Sequence, residues 1–362
     1  MKAHHLLLAA ALVLLPGLVL ADTPALREQS QQVVEARGLT GLRVENPRGL
    51  VRVSPSRDGR IHLTALKVTA SRMSSRAQEF ARETRVETST ESGRYVVRVR
   101  YPQRQMLRAS LAQLFRGELD LPRVEVRLAL EVPPRLPIDL ETTSGELETM
   151  DLAGPQSLET TSGDIEVRAA AAFLSIATTS GNVMASGVGR ARVRSVSGDV
   201  TLDAARGPLD VRTTSGNIGV SGVADSLGLS SVSGDIRVDR APRGLDAGTT
   251  SGDIIVDGSA GGLVRLRSTS GDVRFGLDRG LRRADVNTVS GGISARLAGG
   301  LGCDLTLTSS SGTLDSSVPL KIRTVSRHEM SGAVSGGGAP VVLHSLSGDI
   351  AVTGVAVTGG GR

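Results

Sequence analysis

The chain has 362 residues, 42 basic against 37 acidic side chains, 44 glycines, one cysteine and no tryptophan, and aromatics make up 2% of it. Phe, Tyr and Trp ordinarily fill irregular core space, so a core almost without them must be narrow, regular and built from Val, Ile, Leu and Thr. The single cysteine excludes an internal disulfide, and Cys303, at alternating spacing with Leu305 and Leu307, reads as a small buried residue rather than a reactive thiol.

At the start, Lys2, His4 and His5 precede an apolar run from Leu6 to Leu20 that is broken by Pro16 and Gly17 and ends in Val19-Leu20-Ala21 before Asp22. This order of basic, apolar and small residues predicts a signal peptide over residues 1–21. The run is too short and too broken to span a bilayer. No later stretch approaches 20 apolar residues, so no transmembrane segment is expected after its removal. Export follows, with the periplasm as the default compartment and the cell surface or medium as alternatives.

Residues 22–138 carry 21 basic against 13 acidic side chains, a basic head that can dock on an anionic surface. Alternating patterns predict strands over 42–53, 61–69, 94–101 and 123–132. Ser75-Arg76-Ala77-Gln78 has capping-box chemistry and predicts a short helix to about Glu83. A second helix is expected near 104–116, with Met106, Leu107, Leu111, Leu114 and Phe115 on one face and Arg104, Arg108 and Arg116 elsewhere. The segment reads as a β-rich capping module with one or two short helices.

From residue 139 to 362 the chain repeats. A Ser-Gly pair, an acidic or small residue and then Ile, Val or Leu recur twelve times, at Ser144, Ser162, Ser180, Ser197, Ser215, Ser233, Ser251, Ser270, Ser290, Ser311, Ser331 and Ser347. The intervals run from 16 to 21 residues and are most often 18. Four residues before each serine stands an apolar residue, Arg327 excepted; two before it stands Thr or Ser, Glu329 excepted. Three residues after it the apolar column resumes, as in Ile165, Val200, Ile236 and Ile254. Apolar spacing of two on both sides, with the parity flipping across Ser-Gly, describes two half-buried strands joined by a tight corner. Glycine permits the unusual backbone of such a corner, and the Asp or Asn after it can fix the turn with a local hydrogen bond. A looser Gly-rich corner follows, as at Gly187, Gly207, Gly222 and Gly244. One such unit cannot bury its apolar side alone; stacking successive units in parallel does. The fold expected is all-β: a single-chain parallel β-solenoid, or β-helix, of about twelve rungs of roughly 18 residues behind an N-terminal β-rich cap.

The repeated Thr-Thr-Ser-Gly-Asp-Ile of Thr160–Ile165 and Thr249–Ile254, with the strand-turn-strand of Leu42–Val53, resembles the bacterial putative-adhesin family of β-strand-repeat proteins, a domain of unknown function. The resemblance covers most of the chain beyond residue 21. It implies the stacked architecture and supplies no catalytic residue.

The corner residues are assigned a structural role: Ser162, Gly163 and Asp164; Ser180 and Gly181; Ser197, Gly198 and Asp199; Ser215 and Gly216; Ser233, Gly234 and Asp235; Ser251, Gly252 and Asp253; Ser270, Gly271 and Asp272. Stacked carboxylates could bind Ca²⁺, but this column is interrupted by Asn182, Asn217, Gly292, Thr313 and Ala333, and a corner needs Asp or Asn in any case. Beyond residue 21 only His62, His328 and His344 are present, without metal-ligand spacing. No metal or other cofactor is expected, and His328, in the irregular copy beside Arg327 and Glu329, is the one histidine placed to mark a site. Missing aromatic platforms for sugar or base stacking weigh against carbohydrate-track and nucleic-acid readings alike. The leading reading is a non-catalytic binding or structural protein of the cell envelope, contacting an envelope or surface component through Arg190, Arg192, Arg194, Arg265, Arg267, Arg282 and Arg283. The alternatives are a polysaccharide-active enzyme on a β-helix scaffold and a scaffold that self-associates through a poorly capped C-terminal rung from Thr353 to Arg362.

Overall fold

The structure is a computed structural model and describes residues 25–70, 74–102 and 123–354. Among the described residues one helix, Ser74–Glu83, is present and every other regular element is a strand. The chain divides into two compact units, residues 1–166 and 167–362. The expected signal peptide, the second helix near 104–116 and the tail from residue 355 lie outside the described residues.

In the second unit each repeat contributes one strand before its Ser-Gly corner and one after it. The leading strands stack in parallel and in register: Ile176 pairs with Val193, Val193 with Val211, Val211 with Leu229, Leu229 with Ala247, Ala247 with Leu266 and Leu266 with Val286. The trailing strands do the same through Val183, Val200, Ile218, Ile236, Ile254, Val273 and Ile293. All of these residues are at most 3% exposed, while their sequence neighbours alternate outward. Burying a Val, Leu or Ile side chain contributes about 1.5–3 kcal/mol, and β-branched residues fit this pleated surface well. Each rung therefore completes the burial of the one beneath it.

Chain order and stacking order part company at the C-terminal end of this unit. The neighbour of the Ser290 rung is Ala339–Ser347, with Val286 against Leu343 and Ser290 against Ser347. Cys303–Ser309 lies on the far side of that strand, with Leu305 against Val341. The trailing strands agree: Ile350–Gly354 pairs with Ile293–Leu297 on one side and Leu314–Ser316 on the other. The last repeat in sequence is thus threaded between two earlier ones. This corrects the expectation of a poorly capped C-terminal rung as far as Gly354, because both described strands of that rung have both edges paired.

The Ser331 copy is also not a rung. Its strand, Glu329–Val334, runs antiparallel to Cys303–Ser309 and to Leu320–Val325. The sequence holds the cause. Where other copies put an apolar residue this one has Arg327, and where they put Thr or Ser it has Glu329; both are exposed, so the segment cannot turn inward. The hairpin closes the stack and leaves Leu320–Val325 at its edge. There Lys321, a register shift between Ile322 and Thr324, and an ion pair from Arg323 to Asp304 at 2.6 Å blunt further strand pairing.

The first unit uses the same device. Gly41–Glu45 and Val51–Pro55 form a rung that sits between two later ones. Val44 pairs with Leu140 on one side and Val97 on the other; Val51 pairs with Leu147 and with Leu128. Antiparallel strands close the end: Arg85–Glu91 against Arg94–Arg100, Arg60–Ala70 against Arg123–Val132, and Ala25–Glu35 against Arg60–Ala70. The expected helix at 75–83 is present as Ser74–Glu83, and the Lys67 ammonium donates to the Ala81 carbonyl at 3.2 Å near its end. In this early rung Asn46-Pro47-Arg48-Gly49 takes the place of a Ser-Gly corner. Asn46 is fully buried and donates through Nδ2 to the Val126 carbonyl at 2.9 Å. The Tyr101 hydroxyl donates to the Arg48 carbonyl at 2.6 Å and accepts from the Val126 N–H at 3.2 Å.

Candidate functional site

The Ser-Gly corners stack as closely as the strands. A Cβ built on Gly198, Gly216, Gly234, Gly252 or Gly271 would fall on the carbonyl oxygen of the corner glycine in the rung beneath, far inside van der Waals contact. Gly181, Gly198, Gly252 and Gly271 also hold φ between 147° and 155°, a backbone that residues with a Cβ rarely adopt. Gly163 stands in the same close approach to Gly145 in the first unit. Around this glycine stack three of the residues two positions before the corner serine donate to a stacked glycine carbonyl, Ser231 to Gly216, Thr249 to Gly234 and Ser268 to Gly252, at 3.2–3.3 Å. The buried Thr178 and Thr213 hydroxyls of the same column have no partner among the described residues. The corner serines Ser180, Ser197, Ser215, Ser251, Ser270 and Ser290 align rung on rung; Ser215, Ser233 and Ser251 are joined by parallel bridges.

The acidic column does structural work. The backbone N–H of Asp199 donates to Asn182 Oδ1 at 3.1 Å, that of Asn217 to Asp199 at 2.8 Å, that of Asp235 to Asn217 at 3.0 Å, that of Asp253 to Asp235 at 2.8 Å and that of Asp272 to Asp253 at 2.8 Å. Each side chain thus satisfies the peptide of the equivalent residue one rung along, which explains why Asp and Asn alternate freely here. Asp164, in the first unit, also has a partner. The ladder breaks at Gly292, whose N–H donates to Asp272 at 2.9 Å but which has no side chain to receive the next rung, Asp349. One rung further, Asp349 accepts both the N–H and the hydroxyl of Thr313 at 2.7 Å, and these bonds hold its carboxyl below the usual range. A Cβ on Gly292 would meet nothing closer than 3.5 Å. Gly292→Asn is therefore expected to complete the ladder without adding a third carboxylate, and to raise stability by about 1 kcal/mol in urea unfolding.

Among the described residues no three His, Cys, Asp or Glu side chains come together in a metal-binding group. His328 places Nδ1 3.1 Å from the Ser309 carbonyl and so ties the closing hairpin to the strand beside it. His62 pairs with Asp58 at 2.9 Å, and His344 lies outward, in register between Asn287 and Thr308. Cys303 is fully buried, and burial, with the nearby Asp304 charge, pushes its thiol up to about 11. No helix of the described residues is long and apolar enough to cross a membrane.

The seven arginines singled out from sequence fall in two groups of the second unit. Arg192 and Arg194 point outward from Ala191–Ser197, with Arg190 immediately before that strand. Arg265 and Arg267 point outward from Ala260–Ser270, and Arg283 from the following strand, beside Arg282. Arg192 shares Asp210 with Arg212, at 3.3 and 2.9 Å; Arg265 and Arg267 share Asp246 at 3.5 and 3.4 Å; Arg283 chelates Asp285 at 2.7 and 3.0 Å. Arg190, Arg194 and Arg282 make no side-chain bond among the described residues. Sequence reading passed over Arg212, which stands in register with Arg194 one rung along.

With this geometry in hand, the family match is decisive. The family model described as Toastrack DUF4097 matches residues 138–257 and again 243–353, well over half of the chain. The chain belongs to the Toastrack family. The two Toastrack matches together take in all twelve Ser-Gly copies, including the antiparallel one at Ser331. Among solved structures, similarity is found to a putative cell adhesion protein from Clostridium sporogenes ATCC 15579, at 10% identity over 91% of this chain and 100% of that one, with a TM-score of 0.19. A putative adhesin from Bacteroides fragilis NCTC 9343 gives 9% identity over 90% and 97%, with a TM-score of 0.30. A putative lipid binding protein from Parabacteroides distasonis ATCC 8503 gives 11% identity over 91% and 97%, with a TM-score of 0.28. At such scores these likenesses carry nothing further to the Toastrack chain. Among curated proteins no significant match is found.

Proposed function

We propose that this Toastrack chain is an exported, non-catalytic, adhesin-like binding or structural protein of the cell envelope, working in the periplasm by default. Export rests on the apolar run from Leu6 to Leu20 and the small residues before Asp22. The observation that carries the binding role is a division of labour among polar groups in the second unit. The corner Asp and Asn side chains are spent on neighbouring peptides, whereas the outward Arg192, Arg265 and Arg267 meet carboxylates shared with a neighbouring arginine and keep most of their donors free. Arg192 and Arg265 side chains are each 50% exposed and Arg267 55%. A guanidinium presents five donors in a planar fork, so these ranks suit an anionic partner. Ion pairs this exposed contribute little to stability, which leaves the arginines replaceable without loss of the fold.

The test is charge reversal. The variant Arg192→Glu, Arg194→Glu, Arg265→Glu, Arg267→Glu is expected to fold as the parent does and to bind isolated cell envelopes at least about tenfold more weakly, a loss of about 1.4 kcal/mol. Unchanged binding in low-salt buffer would remove this surface from consideration.

A further inference from the structure

Three glycines of the second unit lie at outward strand positions with no internal reason to be glycine. Gly219, Gly228 and Gly248 have neither a left-handed backbone nor a close neighbour; a Cβ on Gly228 would come no nearer than 3.8 Å to the Leu209 carbonyl, and on Gly248 no nearer than 3.8 Å to that of Arg267. A glycine inside a strand weakens it and commonly marks a place where something external approaches the backbone. Two of the three, Gly228 and Gly248, fall on the wall that carries the arginines.

The in-register pairs give the layout of that wall. One outward column reads Arg194, Arg212, Ser230, Gly248, Arg267, Asn287, and the column beside it reads Arg192, Asp210, Gly228, Asp246, Arg265, Asp285. Small residues thus occupy three of the four positions on the two middle rungs, Asp246 taking the fourth, with arginines standing on either side. At roughly 4.8 Å per rung, Arg212 and Arg267 are about 14 Å apart along the stack. The result is a saddle with a floor of Gly228, Ser230 and Gly248, walled by Arg194 and Arg212 at one end and Arg265 and Arg267 at the other.

From this saddle we infer that the wall binds an acidic polysaccharide chain, deepening and resting on the arginine-surface reading given above. The floor admits a narrow chain to the backbone, which a flat lipid surface cannot enter. The end walls offer forked donors for ring carboxylates or similar oxyanions. Asp210 and Asp246 stand between the arginines as acceptors for sugar hydroxyls, and the same two charges repel a ligand whose only chemistry is dense negative charge. Neither bases nor sugar rings find an aromatic platform on this wall, so recognition there rests on the arginine donors and the carboxylate acceptors.

The experiment uses the full mature chain with polygalacturonate as the probe and neutral dextran, anionic phosphatidylglycerol vesicles and single-stranded DNA as comparisons. Parent protein is expected to bind polygalacturonate in low salt and to leave dextran unbound, while any binding of vesicles or DNA through the basic residues 22–138 is expected to be indifferent to changes in the saddle. Gly228→Thr with Gly248→Thr fills the saddle with residues a strand prefers. It is expected to raise the melting temperature yet weaken polygalacturonate binding at least tenfold. Arg212→Glu with Arg267→Glu should weaken binding as much, and Arg237→Glu, on the other wall, should not. The inference is overturned if polygalacturonate does not bind, if the threonine pair binds it as the parent does, or if the threonine pair weakens vesicle or DNA binding as much as polygalacturonate binding. These results are separable from failure of the broader proposal: envelope binding that survives reversal of the arginines sinks both readings. Envelope binding that is lost on reversal but is indifferent to the threonines sinks only the saddle.

Discussion

Replacing Gly252 by alanine is expected to cost about 4 kcal/mol, at the upper end of what single substitutions do. Two penalties coincide there. The new methyl group would fall on the Gly234 carbonyl oxygen, with the Gly234 carbon at 2.7 Å and the Asp235 nitrogen at 3.2 Å, all of it backbone that cannot swing aside. The residue would also have to keep φ at 155°, a conformation that costs about 1–3 kcal/mol outside glycine. Relief by shifting the rung is blocked on the other side, because Gly271 approaches the Gly252 carbonyl just as closely. Four residues away, Gly248→Ala is expected to change stability by less than about 0.5 kcal/mol, or to raise it, since nothing crowds that position. Urea unfolding of both variants separates a glycine the stack requires from one it does not. Equal effects at the two positions would contradict the close-stacked corner.

The stacked corner was legible in the sequence because it is repeated. Eleven of the twelve Ser-Gly copies keep a fixed parity that specifies two strands, a turn and a parallel stack, and the inward columns are the residues that pattern names. The ladder of Asp and Asn was half legible. The residue types suggested a corner bond within one turn, but the bonds run to the next rung's peptide, a partner about 18 residues away that no local pattern displays. The strand Ala25–Glu35 left no signal, because at the edge of the first unit it can be as polar as Arg27, Glu28, Gln31 and Gln32 make it. The order of the rungs was invisible. Leu343 and Leu307 fit the same column equally well, and nothing in an apolar column says which neighbour lies above which. Only Arg327 and Glu329 warned that one copy would leave the stack. The saddle was missed for a similar reason: Gly228, Ser230 and Gly248 look like ordinary variation until register places them between two arginine ranks.

Ending the chain after Gly338 gives the sharpest test of that rung order. Val341, Leu343, Ile350 and Val352 are at most 1% exposed and would be lost together, a deficit of about 6–12 kcal/mol in apolar burial. In a stack that followed chain order, removing the last repeat would shorten the unit by one rung and leave residues 303–316 folded beneath it. In the threaded arrangement the same deletion removes the layer between the Ser290 rung and Cys303–Ser309, so the strand that carries Cys303 loses its parallel partner. The lone cysteine reports the outcome. In the full chain the Cys303 thiol is buried and pushed up to about 11, so it should resist alkylation at neutral pH. In the truncated chain it is expected to react at the rate of an unfolded thiol, while amides of Ile176, Val193 and Val211 keep their protection from hydrogen exchange. A Cys303 that stays unreactive after the truncation would mean that the C-terminal rung lies outside its neighbours rather than between them.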